Sequence, residues 1–343
     1  MFQKFSILVS LGIFLFLPVL PLQAETNEPF TFIAIGDTPY SETEEKRLYA
    51  TVIGAVQKAA PPFLAVYGDI KSGAETCSEE LLLKRKDLFY SMAPGRVFYT
   101  PGDNEWTDCD RQSLNPAVSE LGQLSLIRKH FFREIPVKNP ESWSYARQDN
   151  FPENARWLTN NILFVTIHTV STNNGRMDIL KDDIDLALSM VEARDQANRV
   201  WLEQAFDFGK QQKVRALVII TQADPTAADG SGECTAYRRM HCDAFADLRD
   251  DVIRLSKGFF PSYKDTRLRP VLFLHGDTGP FCFDKTFGGD AAPNLWRLNA
   301  WGDFTVPADA TVVTVQPENR EAPFTAITLL ERKVPGQNCR PEF

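Results

Sequence analysis

"FIAIGDTPYS", residues 32–41, is an apolar run that breaks at Gly-Asp. Similar endings recur in "FLAVYGDIKSG" (63–73), "VFYTPGDNEW" (97–106) and "VLFLHGDTGPF" (271–281). Glycine lets a chain turn sharply at the end of a strand, and the next residue can then point beyond the sheet. In open α/β sheets ligands bind outside the carboxyl ends of the strands. Asp37, Asp69, Asp103 and Asp277 are therefore expected to converge on one acidic rim although they are distant in sequence. A single Gly-Asp is more often an ordinary turn, because aspartate serves turns well. Four of them, each directly after a strand-like run, favour a shared site. Carboxylates gathered in this way repel one another, and a cation is the simple compensation.

The segments between these endings support an α/β start. In "SETEEKRLYATVIGAVQKA" (41–59) Ser41 is a candidate N-cap, Glu44 holds the capping-box position, and apolar residues recur at helical spacing. A strand at 63–68, a helix within "CSEELLLKRKDLFYSM" (77–92) and a strand at 96–100 repeat the β-α-β order of parallel neighbours. The middle is more helical, with "SELGQLSLIRKHFFRE" (119–134) and a long region over 179–212. "ILFVTIHTV" (162–170) and "VRALVIITQ" (214–222) read as strands. Beyond Asp277, "LWRLNAWGDFTV", "ATVVTVQ" and "FTAITLLER" read as short strands with little helix. The expected fold class is α/β, with two mixed sheets packed face to face and helices outside, an α/β/β/α sandwich.

Residues 1–24 carry a charged start, an apolar stretch and "PLQA", the pattern of a signal peptide cut after Ala24. A retained anchor is the alternative, since the stretch approaches the length of a membrane span. Residues 25–343 lack a linker and are expected to form one domain with a β-rich C-terminal part and tail. A net charge of −8 with scattered Lys and Arg gives no nucleic-acid surface. Six cysteines in an exported chain, periplasmic or secreted, suggest disulfides. Cys77 and Cys109 can bridge if their strands are neighbours, Cys234 and Cys242 can close a local loop, and Cys282 and Cys339 remain to tie the tail back. No CxxC pair supports a zinc site.

The ordered series "GDTPY", "GDIKSG", "GDNEW", "IITQADP" and "HGDTG", with "VWLEQAF" (200–206) before the fourth, resembles the calcineurin-like metallophosphoesterases, the family that includes purple acid phosphatases. The family's blocks run DxH, GDxxD, GNHE, a lone His after a strand, and GHxH. The resemblance implies metal ligands at Asp37, Asp69, Asp103, Gln222 and Asp277, and places Asn104 where a His would assist the leaving group. The departures are systematic: Pro39, Gln222, Asp277 and Gly279 stand where metal-binding histidines are expected, and Ser72 replaces a second Asp. Imidazole suits zinc and iron, whereas an oxygen set suits magnesium, manganese or calcium. One hard ion, rather than two, is the expected cofactor, with no ion as the alternative.

The expected function is hydrolysis of a small phosphate ester by metal-activated water, with Asn104 positioning an oxygen and His275 as a substitute acid. A satisfied, buried His275 is an equal reading. His130, His168 and His241 suit packing or surface roles, and Tyr40 suits packing on the next helix. Asn173 and Asn174 suit either a polar loop that reaches the cleft or a turn, and Glu105, Asp108 and Asp110 suit either a supporting shell or a solvated loop. Lys71 could neutralise the carboxylates without metal. A non-catalytic protein that binds a ligand in the same cleft, or a hydrolase for another ester class, are the competing functions.

Overall fold

A computed structural model describes residues 28–260, 268–285 and 287–339; the signal-peptide reading lies outside these residues. Strands β1 (Phe30–Ile35), β2 (Leu64–Val66) and β3 (Val97–Tyr99) are parallel neighbours. The late strands β11 (Thr311–Val315) and β12 (Phe324–Thr328) complete this first sheet in the order β12-β11-β1-β2-β3, with β11 antiparallel to β1. The second sheet holds seven strands: β4 (Ala146–Arg147), β5 (Ala155–Thr159), β6 (Ile162–Thr166), β7 (Ala216–Ile220), β8 (Val271–His275), β9 (Cys282–Asp284) and β10 (Leu295–Asn299). Their order is β4-β5-β6-β7-β8-β10-β9, and the central four, β6, β7, β8 and β10, are parallel.

The two sheets meet through aromatic side chains. Phe32, Phe63, Phe98, Trp157 and Phe164 interlock between them, with Phe98 stacked on Trp157 at 3.7 Å between ring centroids. Alternation along β1 explains the layering: Phe30, Phe32 and Ala34 face the second sheet, while Ile33 and Ile35 face helices. On that outer side lie α1 (Glu42–Arg47), α2 (Ile53–Ala59), α3 (Glu79–Met92) and α4 (Glu120–Phe131). Ser41 caps α1 by accepting from the Glu44 amide, and Glu44 reaches back to the Tyr40 amide at 2.8 Å. Beyond β6 the chain makes a short turn, α5 (Ser171–Gly175), in which Thr172, Asn173 and Asn174 are all left-handed. Then α6 (Ile184–Gln211) and α7 (Ala246–Lys257) cover the outer face of the second sheet. The result is the expected α/β/β/α sandwich.

Three disulfides are present, Cys77–Cys109, Cys234–Cys242 and Cys282–Cys339. The first joins the loops after β2 and β3, and the third ties the tail to β9.

Glu120, at the start of α4, is almost fully buried and one carboxyl oxygen has no partner. Burial, then Asp182 and Asp110, push its carboxyl up to about 8. The folded chain thus holds a proton there that the unfolded chain releases above about pH 4–5, so this residue's contribution to stability falls as pH rises toward 8. Glu120→Gln should flatten that slope, which is at most about 1.4 kcal/mol per pH unit, in urea unfolding between pH 5 and 8.

Candidate functional site

The carboxyl ends of the parallel strands of both sheets face one rim. Asp37 follows β1, Asp69 follows β2, Asp103 follows β3, Ser171 follows β6, Gln222 follows β7 and Asp277 follows β8. One atom organises them: the Gln222 side-chain nitrogen Nε2 donates to Asp103 Oδ1 at 2.9 Å and to Asp69 Oδ2 and Asp277 Oδ1 at 3.4 Å each. Its orientation follows from the other end of the amide, where Oε1 accepts from the Ser171 backbone N–H at 3.0 Å. Ser171 Oγ also donates to Asp103 Oδ2 at 2.7 Å. Asp37 joins through the Asp277 amide, which donates to its Oδ2 at 3.0 Å, while Asp37 Oδ1 is buried without a partner.

The roles within each Gly-Asp differ from the sequence reading. The aspartate is left-handed in three cases, with φ of 47° at Asp37, 50° at Asp69 and 76° at Asp277, and of the preceding glycines only Gly68 also has positive φ, at 92°. Aspartate tolerates that region better than most side chains. The glycines instead make room. A Cβ on Gly102 would lie 2.0 Å from Asp69 Oδ1, and one on Gly276 would lie 1.8 Å from Asp37 Oδ2. Each of these glycines opens space for the carboxylate of a neighbouring loop.

A fifth acid belongs to the group. β10 is followed by Gly302 and Asp303, whose amide donates to the Asp37 carbonyl at 3.1 Å. The signal was available in "AWGDF" (300–304), which has the same dipeptide after a strand. Burial, then Asp303 and Asp277, raise the Asp37 carboxyl well above the ordinary range. Asp69 is raised by burial, then by Asp103 and Glu105, and Asp277 by burial, then by Asp103 and Asp303. Asp277 is half-buried and opens the group to solvent, whereas Asp37, Asp69 and Asp103 are buried.

Among the described residues, little positive charge touches Asp37, Asp69, Asp103 or Asp277. The Lys71 ammonium turns to the carbonyls of Ser72 and Glu75, at 2.8 and 3.1 Å, so the direct neutralisation considered from the sequence does not occur. Arg111, which sequence reasoning missed, reaches within 4.0 Å of Asp103 while pairing with Asp108 at 2.7 Å. Neutral donors do most of the work. Asn104 gives its amide and side-chain N–H groups to Asp69, at 3.2 and 2.9 Å, and the Tyr40 hydroxyl donates to Asp69 Oδ2 at 2.8 Å. Tyr40 thus reaches the site itself, beyond the packing role expected of it. His275 stands apart: it is fully buried, its Nδ1 donates to the Gly276 carbonyl at 2.8 Å, and its Nε2 lies 4.0 Å from Asp224. Burial lowers its imidazole to about 4, and the ring makes no hydrogen bond to Asp37, Asp69, Asp103 or Asp277. A cavity of about 540 Å³ lies on the α6–α7 side; Thr169 and Asn174 line it, and none of these aspartates does.

Glu105 holds the loops beneath the site. Its carboxylate accepts from the amides of Asp69, Ile70 and Gly102 and from the Tyr99 hydroxyl. Asp110 does similar work, accepting from the amides of Leu180 and Lys181 at 2.8 and 2.7 Å.

No protein-family model matches the chain. No curated protein sequence matches it. Among solved structures it is similar to the purple acid phosphatase PPD1 from seeds of yellow lupin (Lupinus luteus), at 9% identity and a TM-score of 0.44, over 90% of this chain and 53% of that one. The chain therefore spans about half the length of the lupin protein. It is also similar to GAP50, the anchor in the inner membrane complex of Plasmodium, at 8% identity and a TM-score of 0.38, over 92% of this chain and 90% of that one. These likenesses concern the fold alone.

Glu105→Gln would aim an N–H₂ group at donors and leave at least one of them unsatisfied. A loss of about 1–3 kcal/mol is expected in urea unfolding. Glu79→Gln, on the exposed Lys129 pair, should leave the midpoint of the same unfolding curve unchanged, because solvent screens that pair.

Proposed function

We propose that this chain is an exported, metal-assisted phosphoesterase-like hydrolase acting on a small phosphate ester at the aspartate rim. The observation that carries the reading is a charge imbalance. Asp37, Asp69, Asp103 and Asp277 share one rim, and among the described residues the cation that reaches Asp103 is an arginine 4.0 Å away that already pairs with Asp108. The donor set is all oxygen, which suits magnesium, manganese or calcium. Asp37 Oδ1 is a buried acceptor without a donor, and the Gln222 N–H₂ fills the side lined by Asp69, Asp103 and Asp277. One ion on the Asp37 side, held by Asp37, Asp69 and Asp277, is the arrangement this favours.

Among the described residues no three His, Cys, Asp or Glu side chains already form a ligating group, so ion uptake involves side-chain rotation. Such an ion would lower the pKa of a bound water and offset charge on phosphoryl oxygens. Arg111, about a third exposed in its side chain, offers a guanidinium to a phosphoryl oxygen at the entrance. With His275 buried and bonded to the Gly276 carbonyl no imidazole is offered to the leaving group, and losing a general acid costs about 10²–10⁴ in rate. Esters with good leaving groups are the substrates that suffer least.

One observation favours a second reading, a non-catalytic member of the fold. Asn104 and Gln222 already supply neutral donors to Asp69, which lets the rim persist without an ion. Three disulfides suit an oxidising compartment, in keeping with export to the periplasm or medium.

The test combines metal analysis with turnover. After dialysis and addition of magnesium, manganese or calcium, the mature protein should retain about one equivalent of ion, and Asp37→Asn should retain much less. Aryl phosphate hydrolysis should fall by at least about 10²-fold in Asp69→Asn. Equal turnover in both proteins removes the hydrolase reading, and bound ion without turnover supports the second one.

A further inference from the structure

Phe304 is the residue after Asp303, and its side chain is 76% exposed. It also adopts φ of 58°, a left-handed conformation that a bulky aromatic residue rarely takes. Holding such a residue in that region is unfavourable, so the surrounding loop must impose it. The loop is well tied. The Trp301 carbonyl accepts from the Tyr67 hydroxyl at 2.8 Å, the Trp301 indole donates to the Pro307 carbonyl at 3.0 Å, and the Thr305 amide donates to the Gly302 carbonyl at 3.0 Å. The Asp303 amide is fixed to Asp37, and the Gly279 amide donates to Asp303 Oδ2 at 2.9 Å.

Among the described residues the ring's one aromatic contact is Tyr40, at 4.9 Å between centroids and 59° between planes. Tyr40 in turn donates its hydroxyl to Asp69. The exposed ring is therefore one side chain removed from the carboxylates, on the solvent side, and exposed Val306 lies two residues further along. A loop that exists only to cap the site would carry a polar residue at this position more cheaply.

We infer that Phe304, backed by Tyr40, is a stacking platform that selects phosphate esters whose leaving group carries a planar aromatic ring. The inference rests on the phosphoesterase reading and names its substrate class. The phosphoryl group lies toward Asp277 and Arg111, and the ring lies on Phe304. Offset or edge contacts between rings contribute about 0.5–1.5 kcal/mol beyond buried area, which is a preference of roughly 2- to 12-fold.

The experiment measures binding of two unhydrolysable probes, phenylphosphonate and methylphosphonate, by calorimetry on the manganese-supplemented mature protein. Wild type should bind phenylphosphonate roughly 2- to 12-fold more tightly. Phe304→Ala should abolish that preference while leaving methylphosphonate affinity unchanged, and Phe304→Trp should keep it. Because the side chain is exposed, both variants should keep the wild-type melting temperature to within a few degrees. An unchanged preference in Phe304→Ala overturns the inference, as does an equal loss of both probes or a failure of either probe to bind. If the preference behaves as stated but no ester is turned over, the platform stands and the catalytic reading falls.

Discussion

The constraint on which the rest of this protein depends is the burial of like charges side by side. Asp37, Asp69 and Asp103 are each at most 3% exposed, and Asp277 and Asp303 adjoin them. Ionised carboxylates in such a place must meet protons, hydrogen-bond donors or a cation. The chain supplies donors first. Gln222 serves three carboxylates with one N–H₂ group, Asn104 and Tyr40 serve Asp69, and Ser171 serves Asp103. Those donors leave Asp37 Oδ1 unserved, and that single deficit gives the site its chemical direction.

Bringing the loops so close is a backbone problem before it is an electrostatic one. Gly102 and Gly276 lie against the carboxylates of Asp69 and Asp37, where any side chain would collide. Beneath them Glu105 gathers amides from the loops after β2 and β3, and Cys77–Cys109 joins the same two loops covalently. The rim is thus held from below by a buried acid and from the side by a disulfide. Its solvent side is left to Asp277, Arg111 and Phe304.

The fold was legible because its signals are local. Alternating apolar residues, the Ser41 cap and the β-α-β order specify layers without knowledge of distant contacts. Convergence of the strand ends was legible for a similar reason, since parallel strands place their carboxyl ends on one edge. The direction of side chains was not. Whether Lys71 meets a carboxylate or two carbonyls depends on a turn that only the packed loop defines. Gln222 reads as an oxygen ligand by alignment, yet the Ser171 amide claims that oxygen and turns the nitrogen inward. His275 sits two residues from Asp277 in sequence, but its ring is fully buried, bonded to the Gly276 carbonyl and near Asp224. Asp303 was missed although its dipeptide was visible, because the C-terminal strands read as a separate β-rich region.

The position of β1 in its sheet has a consequence for biogenesis. It lies between β2 and β11, and the register that pairs Phe30 with Val315 joins the two extremities of the described chain. Until the last strands emerge from the ribosome, one edge of β1 has no neighbour and the aromatic layer beneath it is incomplete. Contacts of such long sequence separation form slowly, because loop closure must precede any gain from pairing. The first sheet therefore reaches its full complement of strands only once the C-terminal strands are made.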